Sequence, residues 1–135
     1  MILCVDANVF VAASTEGEVH HRESGELFRR ADAGHVEVVA PTLMLAEVGA
    51  AIVRSTGNAD AARQTLAVIR QRPGLSLIPL DATRAQRAAE LAIALRVRGA
   101  DAIYAQVAEE FDAILLSSLN LANNHKRHRF TDKNH

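Results

Sequence analysis

The chain has only one cysteine, Cys4, which excludes an internal disulfide. Within its apolar run this thiol reads as a small core hydrophobe in a reducing compartment. Aromatic residues make up only 4% of the chain, whereas alanine is plentiful and 49% is hydrophobic, a balance that suits a helix-rich packed protein. Neither sign of charge dominates: 15 Lys+Arg face 16 Asp+Glu. Any contact with nucleic acid must therefore come from a local patch, not from the total. Long hydrophobic runs are missing too. Residues 38–46 carry no charge, but Pro41 and Thr42 interrupt them and they are far too short to span a bilayer. No basic segment followed by an apolar run marks a signal peptide. The expectation is a cytoplasmic protein with no membrane partner, whose 135 residues close a single core.

The apolar pattern alternates between short continuous runs and longer amphipathic stretches. Runs at 2–5, 36–40, 75–80 and 113–116 predict strands buried on both faces. A single helical turn is expected at 10–13. Longer helices are expected at 18–33, from 41–42 to about 55, at 60–72, at 82–97 and from 101 to about 111. Gly34, Gly57, Pro73-Gly74 and Gly99 act as stops, and Asp81 as a cap. Strands alternating with helices imply an α/β fold, with a central, mostly parallel sheet covered on both faces. The final residues, 125–135, differ in character, being polar, basic and poor in apolar anchors. They are expected to form a tail on a domain of residues 1–124, with a short edge strand near 129–131 or none.

Three carboxylates interrupt otherwise apolar stretches. Asp6 is the only charge among the first fifteen residues, Glu47 the only one from Val38 to Val53, and Asp101 the only one between Arg98 and Glu109. Each has an ordinary explanation. Asp6 suits a turn, Asp101 an N-cap, and Glu47 an ion pair with Arg54. Taken together they suggest a site. In an open parallel sheet the crevice at the carboxyl ends of the strands is where ligands bind, and all three acids are expected to reach that edge. Crowded carboxylates repel in a low-dielectric pocket and call for protons or a cation. Mg²⁺ or Mn²⁺ suits such an oxygen-rich setting, activates water and stabilises charge developing on a phosphodiester.

The stretches "VDANVFV", "VHHRESGELF", "APTLMLAEVGAAI" and "RGADAIYAQVAEE" together resemble the PIN-domain family, and within it the VapC-like toxins of toxin–antitoxin pairs. The resemblance runs over roughly residues 1–118. It implies a three-layer α/β/α fold and a Mg²⁺- or Mn²⁺-dependent ribonuclease acting on RNA. It also implies a homodimer and a VapB-like antitoxin whose tail covers the acidic pocket. Carried over by position, Asp6, Glu47 and Asp101 are the catalytic acids. Asp6 and Asp101 ligate the metal, Glu47 orients the attacking water, and Asn8 supports Asp6 by hydrogen bonding.

The chain departs from the family in "ILLSSLNLANN". The family's fourth acid is absent, its place falling on Leu119 or, with a one-residue shift, on Asn120. Ser117 matches a threonine position, and Asn120 offers at most a neutral oxygen. A missing carboxylate weakens the hold on a hard cation. The competing reading is therefore a PIN-like domain with impaired catalysis that serves as a protein- or RNA-binding module. Against it stands the cost of keeping three charges on apolar stretches without a metal.

The other candidates are weaker. His20-His21 and His125/His128 lack a cysteine partner for zinc. Lys126, Arg127 and Arg129 suit either phosphate contact or solvent, and Arg70, Arg72, Arg96 and Arg98 read mainly as surface residues. A receiver domain needs a lysine after the last core strand, but the only lysines are Lys126 and Lys133. A haloacid-dehalogenase phosphatase needs Asp-x-Asp where this chain has Asp6-Ala7-Asn8.

Overall fold

A computed structural model describes residues 1–117. Four strands, β1 (Ile2–Val5), β2 (Glu37–Pro41), β3 (Leu75–Ile78) and β4 (Ile114–Leu116), form one sheet in the order β3-β2-β1-β4. Every neighbouring pair is parallel, with Cys4 opposite both Val39 and Leu115. The strands are short and apolar because helices cover both faces, and Cys4, Val5 and Ala40 are fully buried.

Parallel neighbours require crossovers, which this chain makes with helix pairs. Helices α1 (Ala7–Ser14) and α2 (His21–Asp32) link β1 to β2, and α3 (Leu43–Thr56) and α4 (Ala59–Arg70) link β2 to β3. Helices α5 (Ala82–Leu95) and α6 (Gly99–Glu110) then carry the chain back across the sheet to β4, beside β1. Helix α6 lies against β1, β2 and β4 with α5 packed on it, while α1 to α4 pack among themselves. Because the direction of travel reverses after β3, right-handed crossovers put these two groups on opposite faces. The result is the expected three-layer α/β/α sandwich. Its core includes Val5, Val9, Phe10, Val38, Met44, Val48 and Val107. Phe10 packs on Phe28 with ring centroids 4.8 Å apart, and the Arg72 guanidinium caps the Phe28 ring. Gly74 is required where β3 begins, since a Cβ there would stand 2.5 Å from the Ala31 carbonyl oxygen.

The element boundaries differ from expectation at three places. Helix α1 has eight residues, not one turn, because Asp6 caps it by accepting the Val9 N–H at 3.3 Å. Helix α2 starts at His21, after a turn at Gly17 (φ +92°), and the His21 Nδ1 lies 2.8 Å from the Ala12 carbonyl, tying α1 to α2. Gly99 does not close α5 but opens α6. The helix ends instead at Arg96 in the left-handed region (φ +55°), and Arg98 takes the N-cap position expected of Asp101. Among the described residues no helix is long and apolar enough to cross a membrane. The proposed tail of 125–135 and its edge strand lie outside the described residues.

Candidate active site

The topology brings three helix beginnings to one edge. The chain leaves β1 at Val5 and β2 at Pro41 on the carboxyl edge, so α1 and α3 start there. Helix α6 ends just before β4 begins, so its own start lies at the same edge. Asp6 is the N-cap of α1, Glu47 stands just past the first turn of α3, and Asp101 is in the first turn of α6. The positive ends of helix dipoles favour carboxylates at such positions. The edge is also where strand order reverses, between β1 and β4, the usual ligand crevice of an open α/β sheet. Here the Asp6 N–H donates to the Leu116 carbonyl at 3.2 Å, locking the end of β1 to β4.

All three acids line one crevice of about 150 Å³, together with Asn8, Arg98 and Tyr104. Burial holds the Asp6 carboxyl above its ordinary pKa, and the negative charges of Glu47 and Asp101 add to the effect. The backbone N–H groups of Val9 and Asn8 oppose it. Asn8 thus supports Asp6 through its main chain, while its side chain is exposed. Glu47 does not pair with Arg54: its Oε1 accepts the Tyr104 hydroxyl at 2.6 Å. That phenol stays protonated, since burial and then Glu47 push its pKa upward. Asp101 receives the Arg98 Nε at 3.0 Å in an exposed pair, with Arg98 87% accessible, a contact that costs little to open. Cys4, behind the crevice, donates weakly to the Tyr104 carbonyl, and burial raises its thiol pKa to about 12.

The structure therefore brings Asp6, Glu47, Asp101 and Asn8 together. Ser117 follows β4 at the same edge without being part of the crevice lining, and Asn120 and Leu119 lie outside the described residues. Tyr104 and Arg98 were missed as site residues. Tyr104 follows Asp101 by three positions, on one helix face, and is the only tyrosine in the chain, the signal that marks it.

The donors facing the crevice are carboxylate oxygens, the set a hard divalent cation takes. Among the described residues no group of three His, Cys, Asp or Glu side chains closes into a ready cage. Burial raises Asp6 most, and the smaller contribution from the charges of Glu47 and Asp101 is what such a cation would relieve.

A family model described as PIN domain matches residues 3–124. Among solved structures, the toxin VapC20 of Mycobacterium tuberculosis, described as cleaving the sarcin–ricin loop, is similar at a TM-score of 0.69 and 20% identity. That match covers 84% of this chain and 85% of the toxin. The VapBC2 complex of Rickettsia felis, bound to a DNA fragment from its promoter, contains a chain similar at a TM-score of 0.63 and 19% identity. Here 87% of this chain and 98% of the other are covered. At these identities the likeness is one of fold. No curated protein matches this chain.

Proposed function

Since the chain belongs to the PIN-domain family, we propose that it is a VapC-like toxin, a Mg²⁺- or Mn²⁺-dependent endoribonuclease. The observation that carries this reading is the convergence of Asp6, Glu47 and Asp101 on one crevice at the strand-order reversal. Asp6 and Asp101 would hold the ion, and water would fill the rest of its shell. When bound, the ion supplies Lewis-acid polarisation of the phosphate and a more acidic water. The chain's own groups do the positioning. Tyr104 fixes one oxygen of Glu47, which leaves the other to orient the water that attacks the phosphodiester in line. The Val9 and Asn8 N–H groups fix the Asp6 carboxylate toward the crevice. Arg98 swings from Asp101 to a phosphate oxygen when RNA enters.

The partners follow from the same reading: RNA as substrate and a VapB-like antitoxin as inhibitor. A homodimer is supported by apolar side chains exposed on α5, Ile93 at 78% and Leu95 at 56%.

The test is cleavage of a labelled RNA pool by purified protein with Mn²⁺, Mg²⁺ or EDTA. Metal-dependent cutting is the expected result. A silent parent alongside an active Leu119→Asp variant would mean that the scaffold is intact and the missing fourth acid disables it. Silence from both would favour the binding-module reading.

A further inference from the structure

A second groove, of about 300 Å³, continues from the acidic crevice along α3 and shares Asn8 and Glu47 with it. Its wall is the stripe Glu47, Ala50, Ala51 and Arg54, spaced i, i+3, i+4 and i+7, with Ala46 beside it. The alanines leave a channel too small-sided to close, and Arg54 stands at its far end, exposed. Among the described residues Arg54 forms no ion pair, whereas Arg98, the cation of the crevice itself, must first open its pair with Asp101 to reach a phosphate. Glu47, the partner expected for Arg54, is taken by Tyr104. A site built from three acids repels a polyanion, so the strand must be anchored beyond them. The exit along α3 offers an open channel that ends in a free guanidinium, suited to bidentate contact with phosphate.

We infer that the α3 groove is a substrate subsite, in which Arg54 binds a backbone phosphate of the RNA neighbouring the scissile one. Two turns of helix, about 10 Å, separate Glu47 from Arg54, too far for both to serve one phosphate. Arg54 is thus a positioning residue that sets register and affinity, not a participant in bond cleavage. The inference takes its ligand class from the nuclease reading above, but its test does not depend on turnover.

The experiment measures binding of a labelled single-stranded RNA over a range of salt in EDTA, and KM and kcat for its cleavage in Mn²⁺. It compares the parent with Arg54→Ala, Arg54→Lys and Arg70→Ala, the last removing an exposed α4 charge outside the groove. Arg54→Ala is expected to weaken binding about fivefold and to reduce the slope of log K against log salt by about 0.7. KM rises correspondingly at unchanged kcat, Arg54→Lys restores the salt slope but only part of the affinity, and Arg70→Ala changes neither quantity. A parental salt slope in Arg54→Ala would overturn the inference, as would a loss of kcat accompanied by a lower melting temperature. A parent that binds RNA with the Arg54-dependent slope yet cuts nothing would support the subsite and count against the nuclease reading.

Discussion

At the scale of single residues, the site depends on a contact between positions 57 apart in sequence. Tyr104 is 4% exposed and donates a hydrogen bond from its hydroxyl to Glu47, so Glu47 is aimed by the core and not by its own helix. Tyr104→Phe keeps the ring's packing and removes only that hydrogen bond. It is expected to lower kcat about tenfold while costing about 1 kcal/mol of stability. Cleavage kinetics and urea denaturation of the same preparation check both numbers, and a kcat equal to the parent's would remove Tyr104 from the mechanism. The three acids were legible in the sequence because a lone charge in an apolar stretch is an anomaly that needs no fold to be seen. Tyr104 was not, since a tyrosine on an apolar helical stripe reads as core, and here it is core as well. Arg54 was misassigned for a related reason: spacing along α3 offered it to Glu47, and only the packing of α6 against the sheet presents the competing donor.

At the scale of elements, α6 must hold Asp101 at the sheet edge, and α5 braces it from outside. Arg84 of α5 meets Glu110 of α6 through Nε at 2.8 Å and a second guanidinium nitrogen at 3.2 Å, and Arg87 meets Glu109. Hydrogen bonds from these arginines hold Glu109 and Glu110 below the ordinary carboxylate pKa. A depressed folded-state pKa contributes stability above the unfolded value, and this is lost as pH falls through the folded one. The double variant Arg84→Ala/Arg87→Ala is therefore expected to melt a few degrees below the parent at pH 7. The gap should close in acid, as the two glutamates become protonated. A gap that persists unchanged to low pH would assign the loss to packing of the arginine stems. The helices themselves were largely legible, because Asp81 and Gly57 act in the structure as the cap and the stop their residue types suggest. The α5–α6 joint was not. Glycine after an apolar helix reads as a stop, but the chain reverses by putting Arg96 in the left-handed region and spends Gly99 on the next helix.

At the scale of the whole molecule, the proposed homodimer makes the surface around α5, with its exposed apolar side chains, an interface. Ile93 is the most exposed apolar side chain there, at 78%, and Leu80, Leu95 and Val97 are exposed as well. Ile93→Glu is expected to convert the dimer to a monomer in sedimentation at micromolar concentration, with the fold kept because the side chain is already outside the core. A parent that sediments as a monomer would discard the dimer. The central claim is that the carboxyl edge of this sheet is a metal-dependent ribonuclease site, and Asp6→Asn tests it most directly. Asparagine caps a helix as well as aspartate does, so α1 should start unchanged. The change also removes one of three mutually repelling charges, so the melting temperature in EDTA should not fall. Cleavage of the labelled RNA in Mn²⁺ by parent and variant is the measurement. The account predicts a loss of at least about 100-fold in rate for a fully folded Asp6→Asn protein. A variant that cuts as fast as the parent would contradict it.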